Sequence, residues 1–175
     1  MSPQQQGLPA LATYLHGLPS EKRGLLEKSF PAVLTVEGRQ GLSADDYQDY
    51  LATDVFGFCG CGMPWAFLDF MLQRLDEIDR IKREAWEIAD STREGRAQSE
   101  QWWAEHKKRL NGLFRSHGEM YFFYYWADTM GLTEHGGSVP GWLDDKGLVI
   151  LAMLKEYKAL AGDDYETDSP LTTEG

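Results

Sequence analysis

Two cysteines stand in a glycine-rich turn that could hold a reactive thiol or part of a metal site. Cys59 and Cys61 flank Gly60 and are followed by Gly62 and Pro64. Glycine allows close backbone approach, and the positive end of a following helix stabilises a thiolate. Cysteines separated by one residue do not close an easy disulfide, so we expect reduced thiols. The competing interpretation, which we favour, is a tight turn whose small thiols pack as apolar groups.

A zinc site needs about four ligands, and the cysteine turn supplies two of them. His117 and His135 stand in predicted loops and could supply the others. The hypothetical site would then consist of Cys59, Cys61, His117 and His135. No spacing rule supports the histidine half, because strong zinc motifs contain two separated pairs of ligands. We therefore expect no cofactor, with bound zinc as the alternative.

A second candidate site is the loop that contains His135, Ser138 and Trp142 among several glycines. His135 could act as an acid or base near neutral pH, and Ser138 could act as a nucleophile. Nucleophilic catalysis also needs an oriented base and an oxyanion site, and the loop follows no clear strand that would make it a phosphate loop. We favour a turn between helices, with Trp142 anchoring it to the core. His135, Ser138 and Trp142 remain candidates for contact with a binding partner.

Two adjacent tryptophans, Trp102 and Trp103, are a further candidate for binding. Adjacent residues on a helix point in different directions, so one of the two rings can stay exposed. Exposed tryptophan is a frequent anchor at protein interfaces. Burial of both rings also fits a domain of this size.

The acidic composition limits the partners that this chain can bind. Its 175 residues include 28 Asp and Glu but 17 Lys and Arg, which gives a net charge of -11. That charge repels a phosphate backbone and argues against nucleic acid. No run approaches the roughly 20 apolar residues of a membrane span, and residues 1–6 lack the features of a signal peptide. We expect a cytoplasmic protein with a protein partner and no membrane contact, and homo-oligomerisation stays open.

The elements that position these residues are predicted to form a mainly α, compact helical bundle. Apolar residues recur at helical spacing between Leu68 and Ala85, after a proline that suits the first turn of a helix. A second helix over 99–116 would complete a long helical hairpin. Short strands are predicted near 32–36 and 138–143, with an irregular crossing equally compatible with 32–36. We expect one helical domain over 1–162 and an acidic disordered tail over 163–175.

The most aromatic part of the chain is the run YFFYYW at 121–126. A short apolar run fits a strand or a helix equally well by periodicity. Met120, Ala127 and the stop at Gly131 favour a helix over 119–130, and we expect it to be largely buried.

Capping residues predict where two other helices begin and end. Ser43 is expected to cap a helix that ends by Gly57. The final helix should begin at Asp144 or Asp145 and end at Gly162, after a glycine-rich loop over 133–141.

Three stretches of the chain resemble small phage and prophage proteins. They are residues 59–64, residues 121–128, and residues 135–143 together with Gly147. Those proteins combine a Gly-Cys-Gly-x-Pro turn, an aromatic helix, and a His-Gly-x-Ser…Trp-Leu-Thr turn before a final helix. The resemblance covers about half of the chain and departs from the pattern at Phe58 and Asp144. It implies a phage or prophage origin and carries over no catalytic residue.

Residues 142–147 also resemble the junction between wing and helix in winged-helix regulators. That resemblance implies DNA binding, which requires a basic recognition surface. The average charge of this chain does not supply one.

These observations favour a binding protein over an enzyme. We expect an accessory protein that binds a host or phage protein stoichiometrically, with inhibition as one outcome. Its acidic surface could mimic nucleic acid against a basic target. The alternatives are a zinc-binding protein that uses Cys59, Cys61 and His135, and a winged-helix regulator that binds DNA.

Overall fold

The computed structural model describes residues 15–29, 43–58, 64–89, 108–134, 141–162 and 165. The described chain is mainly helical, as the sequence predicts. Its elements are α1 (Ser20–Ser29), α2 (Ala44–Asp49), a π-helical segment (Tyr50–Val55), α3 (Pro64–Ala89), α4 (His117–Thr129), β1 (Thr133–Glu134), β2 (Trp142–Leu143) and α5 (Asp145–Ala161). Residues 15–17 and 108–112 are also helical. No helix within these ranges is long and apolar enough to cross a membrane.

The chain divides into two compact units. The first unit contains residues 1–72 and 149–175, and the second contains residues 73–148. The divisions fall within α3 and α5, so each of these helices contributes residues to both units. Each unit buries its own apolar side chains, among them Leu51, Leu68, Met71, Ile150 and Met153 in the first and Leu75, Ile78, Ile81, Leu110 and Phe123 in the second.

In the first unit, α2 begins with a capping box, which confirms the predicted role of Ser43. The Ser43 hydroxyl accepts a hydrogen bond from the Asp46 amide at 3.2 Å. The Asp46 carboxylate in turn accepts from the Ser43 hydroxyl at 2.6 Å and from the Ser43 amide at 3.0 Å. These bonds, chiefly the one from the hydroxyl, lower the pKa of Asp46. The helical turns end before Gly57, whose φ of 68° suits glycine.

Aromatic rings in the first unit pack against one another. The ring centroids of Tyr47 and Tyr157 lie 6.3 Å apart. Phe67 meets Phe56 edge-on at 5.4 Å and stacks on Phe58 at 5.1 Å. Such pairs add a modest stabilisation beyond the burial of apolar surface. The aromatic residues of this unit therefore contribute to its interior.

Tyr165 is the one residue of the predicted tail that lies within the described ranges. Its hydroxyl donates a hydrogen bond to Oδ1 of the buried Asp69 at 3.0 Å. Its ring centroid lies 5.7 Å from that of Tyr157 and 4.9 Å from Nζ of Lys158. Burial, reinforced by the charge of Asp69, raises the pKa of Tyr165. Position 165 is thus held to the first unit.

In the second unit, Arg109 links the helical residues 108–112 to α3. Its Nε donates to Oε1 of Glu77 at 2.9 Å, and its Nη1 donates to Oε2 of Glu84 at 2.7 Å. These bonds, chiefly the one to Glu84, raise the pKa of Arg109. Residues 108–112 are helical, as predicted for the second arm of the hairpin, whereas 99–107 lie outside the described residues and the hairpin itself stays a prediction.

The second arm ends earlier than the sequence predicts. Residues 113–116 form turns, in which the Leu113 amide donates to the Leu110 carbonyl at 3.1 Å. Ser116 has an extended backbone, and its hydroxyl accepts from the Glu119 amide at 3.2 Å. The prediction of a helix to Ser116 is wrong because Ser116 caps the next helix.

The two short strands form an antiparallel pair with Thr133 opposite Leu143 and Glu134 opposite Trp142. The strand predicted near 138–143 is confirmed at 142–143, and residues 138–140 lie outside the described ranges. Residues 133–134 were expected in a loop, and this expectation is wrong because their backbone pairs with β2. The strand predicted near 32–36 lies outside the described residues.

Candidate docking surface on the aromatic helix

The amino end of α4 is fixed by a cap and by an arginine of α3. Glu119 accepts a hydrogen bond at Oε2 from the Arg115 amide at 2.9 Å, and its own amide donates to Ser116. The other carboxylate oxygen of Glu119 lies 3.4 Å from Nη2 of the buried Arg74. The guanidinium carbon of Arg74 lies 5.5 Å from the ring centroid of Phe114. This arginine is therefore held in place by both an aromatic ring and a carboxylate.

One side of α4 is buried in the second unit. Phe123 is 3% exposed, and Ala127, one turn later, is completely buried. The Phe123 ring centroid lies 5.4 Å from Phe114, 5.8 Å from Tyr124 and 6.4 Å from Trp126. Burial raises the pKa of Tyr124, because an apolar environment disfavours the phenolate. This packing fixes the rotation of α4 about its own axis.

The opposite side of α4 exposes three large aromatic side chains. Tyr121 and Phe122 are each 71% exposed, and Tyr125 is 74% exposed. At about 100° per residue, positions 121, 122 and 125 fall within one third of the helix circumference. We call these three side chains the aromatic face. From the usual size of such side chains, they present about 400 Å² to solvent, and patches of that size often mark contact sites.

The exposure of Tyr121, Phe122 and Tyr125 corrects the expectation that this helix is largely buried. Six consecutive aromatic residues pass around the whole helix axis, because each residue advances the helix by about 100°. A helix at the surface of a unit can bury only one side. The helix itself is confirmed, but about half of its aromatic side chains lie outside the core.

The aromatic face has an acidic edge. Asp128 is exposed and follows Tyr121 and Tyr125 on the i, i+4, i+7 stripe of one helix side. The exposed His117 stands at the amino end of the same side. Residues 117–129 contain no Lys or Arg. The exposed side of α4 therefore combines aromatic rings with an acidic residue.

The carboxyl end of α4 is tied to the strands and to the start of α5. The Leu132 amide donates to the Ala127 carbonyl at 2.8 Å, after a turn at Gly131 with φ of 65°. Nζ of Lys146 donates to the Met130 carbonyl at 2.7 Å, which satisfies a group at the end of the helix. The Asp144 amide donates to the Leu132 carbonyl at 3.1 Å.

Gly147 allows the start of α5 to approach the backbone of Leu132, the residue before β1, closely. A Cβ at this position would overlap the backbone oxygen of Leu132 and lie 3.3 Å from Cβ of Leu143. The Gly147 amide donates to Oδ1 of Asp144 at 2.7 Å, in the manner of a helix cap. Burial nevertheless raises the pKa of Asp144, and Glu134 and Asp145 add to the effect. The predicted start of the final helix is confirmed, since α5 begins at Asp145.

Two of the residues that the sequence singled out lie in the described ranges. His117 is exposed at the first position of α4 and does not stand in a loop. Trp142 is half-buried in β2, with Nζ of Lys82 at 5.5 Å from its ring centroid. The other candidates lie outside the described residues, namely Cys59, Cys61, Trp102, Trp103, His135 and Ser138.

The zinc hypothesis stays a prediction. Within the described ranges, no three His, Cys, Asp or Glu side chains come together in a way that could hold a metal ion. Of the four hypothetical ligands, only His117 lies in those ranges.

Sequence reasoning missed the aromatic face. The run at 121–126 predicts a helix that is largely buried, and this prediction does not separate its inner side from its outer side. A usable signal was present, since His117 and Asp128 lie on the same helix side as Tyr121 and Tyr125. Polar residues at that spacing mark the side that faces solvent.

Comparisons of the chain with protein-family models, with curated proteins and with solved structures found no match. The function is therefore argued from the residues of the chain itself.

Proposed function

We propose that the protein is an accessory protein of the phage or prophage type, which binds a host or phage protein stoichiometrically in the cytoplasm. The observation that carries the binding role is the exposure of Tyr121, Phe122 and Tyr125 on one side of α4. The resemblance of residues 59–64 and 135–143 to phage and prophage proteins supports the assignment to that type. Inhibition is the expected outcome when this protein covers the active site or binding site of its partner.

The aromatic face suits a protein interface for two physical reasons. Tyrosine and phenylalanine contribute large contact areas and have few rotatable bonds, so little conformational entropy is lost on binding. The opposite side of α4 is fixed by Phe123 and Ala127, which holds the three rings on a packed scaffold. Interface residues that contribute most to affinity are commonly rings of this kind near the centre of a patch.

The same helix favours a protein partner over DNA. The strand pair that follows α4 fits the winged-helix resemblance, in which the preceding helix would read DNA. Residues 117–129 contain no Lys or Arg, whereas phosphate contacts depend on those side chains. A face of rings beside Asp128 is better suited to a protein surface.

The test compares three baits in affinity purification from host lysate. They are the wild type, the triple variant Tyr121→Gln, Phe122→Gln, Tyr125→Gln, and a control, Leu25→Gln. Glutamine has good helix propensity, so α4 should remain folded in the triple variant. Leu25 lies in α1 and is 60% exposed, which makes it a matched apolar-to-polar change elsewhere on the surface.

We expect one partner to be retained by the wild type and the control and lost from the triple variant. Size-exclusion chromatography with light scattering should give a one-to-one complex, and any activity of the partner should reach its minimum near one equivalent. Circular dichroism checks that all three baits are folded. Recovery of the same proteins by the folded triple variant would exclude the aromatic face as the binding surface.

A further inference from the structure

We infer that the aromatic face also binds the same face of a second copy of this chain, in a weak antiparallel dimer whose twofold axis crosses α4 near position 123. This inference goes beyond the proposed binding function, because it requires no host or phage partner. The carrying observation is an uncharged and self-complementary row of exposed residues on α4, with Tyr121, Phe122 and Tyr125 at its centre.

The row of exposed residues begins and ends with small side chains. Gly118 precedes Tyr121 by three positions, Thr129 follows Tyr125 by four, and both are exposed. Residues at these spacings lie on one side of a helix, as in the contact between paired helices. The Thr129 hydroxyl donates to the Tyr125 carbonyl at 2.8 Å, which satisfies it within its own helix. We call residues 118, 121, 122, 125 and 129 the exposed row, and all five are uncharged.

The order of residues in the exposed row is nearly the same in both directions. A twofold axis at position 123 exchanges positions 121 and 125, so Tyr121 of each copy faces Tyr125 of the other. The same axis brings Gly118 of each copy close to Thr129 of the other, and small residues at both ends allow the helices to approach. The rings of the two copies then meet in the middle of the contact, where aromatic pairs favour offset or edge-on packing.

The distribution of charge is compatible with two copies in contact at this face. The unit that contains α4 holds 14 acidic and 11 basic side chains, whereas the other unit holds 14 and 6. Glu119 lies 3.4 Å from Arg74 and accepts from the Arg115 amide, so its carboxylate is engaged within its own unit. In the antiparallel arrangement the two copies of Asp128 lie about 15 Å apart along the helix axes, which exceeds the Debye length. A parallel arrangement would place them side by side, and the antiparallel one is therefore favoured.

The size of the face predicts a weak dimer. The three rings present about 400 Å² in each copy, so their pairing removes about 800 Å² from solvent. Stable interfaces usually bury at least about 1,200 Å² in total. The expected dissociation constant is therefore on the order of 100 μM. A dimer of this strength covers the aromatic face at high protein concentration and dissociates when a tighter partner binds the same face.

Analytical ultracentrifugation of the full purified chain tests this inference at protein concentrations from about 5 μM to about 1 mM. The wild type should change reversibly from monomer to dimer over this range. In the triple variant Tyr121→Gln, Phe122→Gln, Tyr125→Gln, the dissociation constant should rise at least about tenfold, because the contact loses its rings. Leu25→Gln is the matched apolar-to-polar control and should dimerise as the wild type does. Circular dichroism checks that all the variants are folded.

Two charge variants that keep the rings test the antiparallel arrangement. Gly118→Glu, Thr129→Lys places opposite charges at the positions that face each other, and Gly118→Lys, Thr129→Lys places like charges there. A Cβ at position 118 meets only the Ser116 hydroxyl oxygen at 3.7 Å, an ordinary contact. The opposite-charge variant should dimerise about threefold more tightly than the wild type at low salt, and the like-charge variant about threefold more weakly. Both differences should shrink at high salt.

Three outcomes would overturn the inference. A wild type that stays monomeric at the highest concentration means that the face does not pair with a second copy. The proposed binding function is then untouched, because its test is the capture of a partner from lysate. A dimer that the folded triple variant retains lies elsewhere on the surface. Dimerisation that is no tighter in the opposite-charge variant than in the like-charge variant excludes the antiparallel arrangement.

Discussion

The two compact units differ in their charge and in the position of their aromatic rings. Residues 1–72 with 149–175 hold 14 acidic and 6 basic side chains, whereas residues 73–148 hold 14 acidic and 11 basic ones. In the described part of the first unit, every aromatic side chain is buried or half-buried. The second unit exposes Tyr121, Phe122 and Tyr125. Most of the net negative charge thus lies in one unit and the aromatic face in the other.

The comparison shows that the spacing of aromatic residues along the chain determines whether their side chains are buried or exposed. In the first unit, Tyr47, Phe56 and Phe67 are separated along the chain, and each can turn toward the interior. In α4 the aromatic residues are consecutive, so the helix geometry forces some of them outward. Exposed rings in the second unit therefore follow from the order of residues in the sequence.

The largest expected effect is a difference in the free energy of unfolding between variants at two neighbouring phenylalanines of α4. Phe123→Ala should destabilise the protein by about 3–5 kcal/mol, because a buried ring leaves a cavity. Phe122→Ala should change the free energy of unfolding by less than about 0.5 kcal/mol, because the ring is exposed. Urea unfolding followed by circular dichroism measures both. A similar loss in the two variants would remove the distinction between the inner and outer sides of α4.

A second prediction tests how firmly the end of α4 is held in the second unit. Gly147→Ala should destabilise the protein by about 3 kcal/mol, since the added Cβ overlaps the Leu132 backbone oxygen and backbone cannot move aside cheaply. The control is Gly112→Ala, where an added Cβ meets nothing within 4 Å. It should be neutral or slightly stabilising because alanine favours helix. Equal melting temperatures for Gly147→Ala and the wild type would contradict the close approach.

The smallest expected effect is on the pH dependence of stability, which is compared for one carboxylate from each unit. The folded-state pKa of Asp144 is raised, so the folded state binds more protons than the unfolded state at pH values just above 3.8. Its contribution to stability therefore falls as the pH rises through that window. Asp144→Asn should be more stable than the wild type at pH 7 by less than about 1 kcal/mol, and the difference should shrink toward pH 4.

Asp46 should behave in the opposite way and serves as the control for Asp144. Its folded-state pKa is lowered, so its stabilising contribution is present above pH 3.8 and is lost as the pH falls through the folded value. Asp46→Asn should therefore lower stability at pH 7. Urea unfolding at pH values from 3 to 8 distinguishes the two variants. A difference for Asp144→Asn that grows on acidification would contradict the burial of that carboxylate.

Features that depend on neighbouring residues could be predicted from the sequence. Ser43 caps α2 and Gly57, Gly131 and Gly162 follow helix ends with positive φ, because capping and left-handed backbone are decided within one turn of chain. The helix that begins at Pro64 could also be predicted, because its apolar residues repeat at helical spacing over many turns.

Features that depend on distant residues could not be predicted in this way. Residues 133–134 become a strand only through pairing with 142–143. Ser116 looked like the end of one helix because its role as the cap of α4 depends on where the preceding turns stop. The aromatic face was missed because composition shows how apolar a helix is, and only its packing shows which side is covered.

The contact of Tyr165 with Asp69 changes how the chain can be shortened. The acidic composition of the tail suggests truncation after Gly162. This truncation would remove Tyr165, and with it the ring beside Tyr157 and one hydrogen-bond donor to the buried carboxylate of Asp69. A fusion attached beyond Gly175 keeps that anchor. The last residues needed by the first unit therefore extend past its final helix.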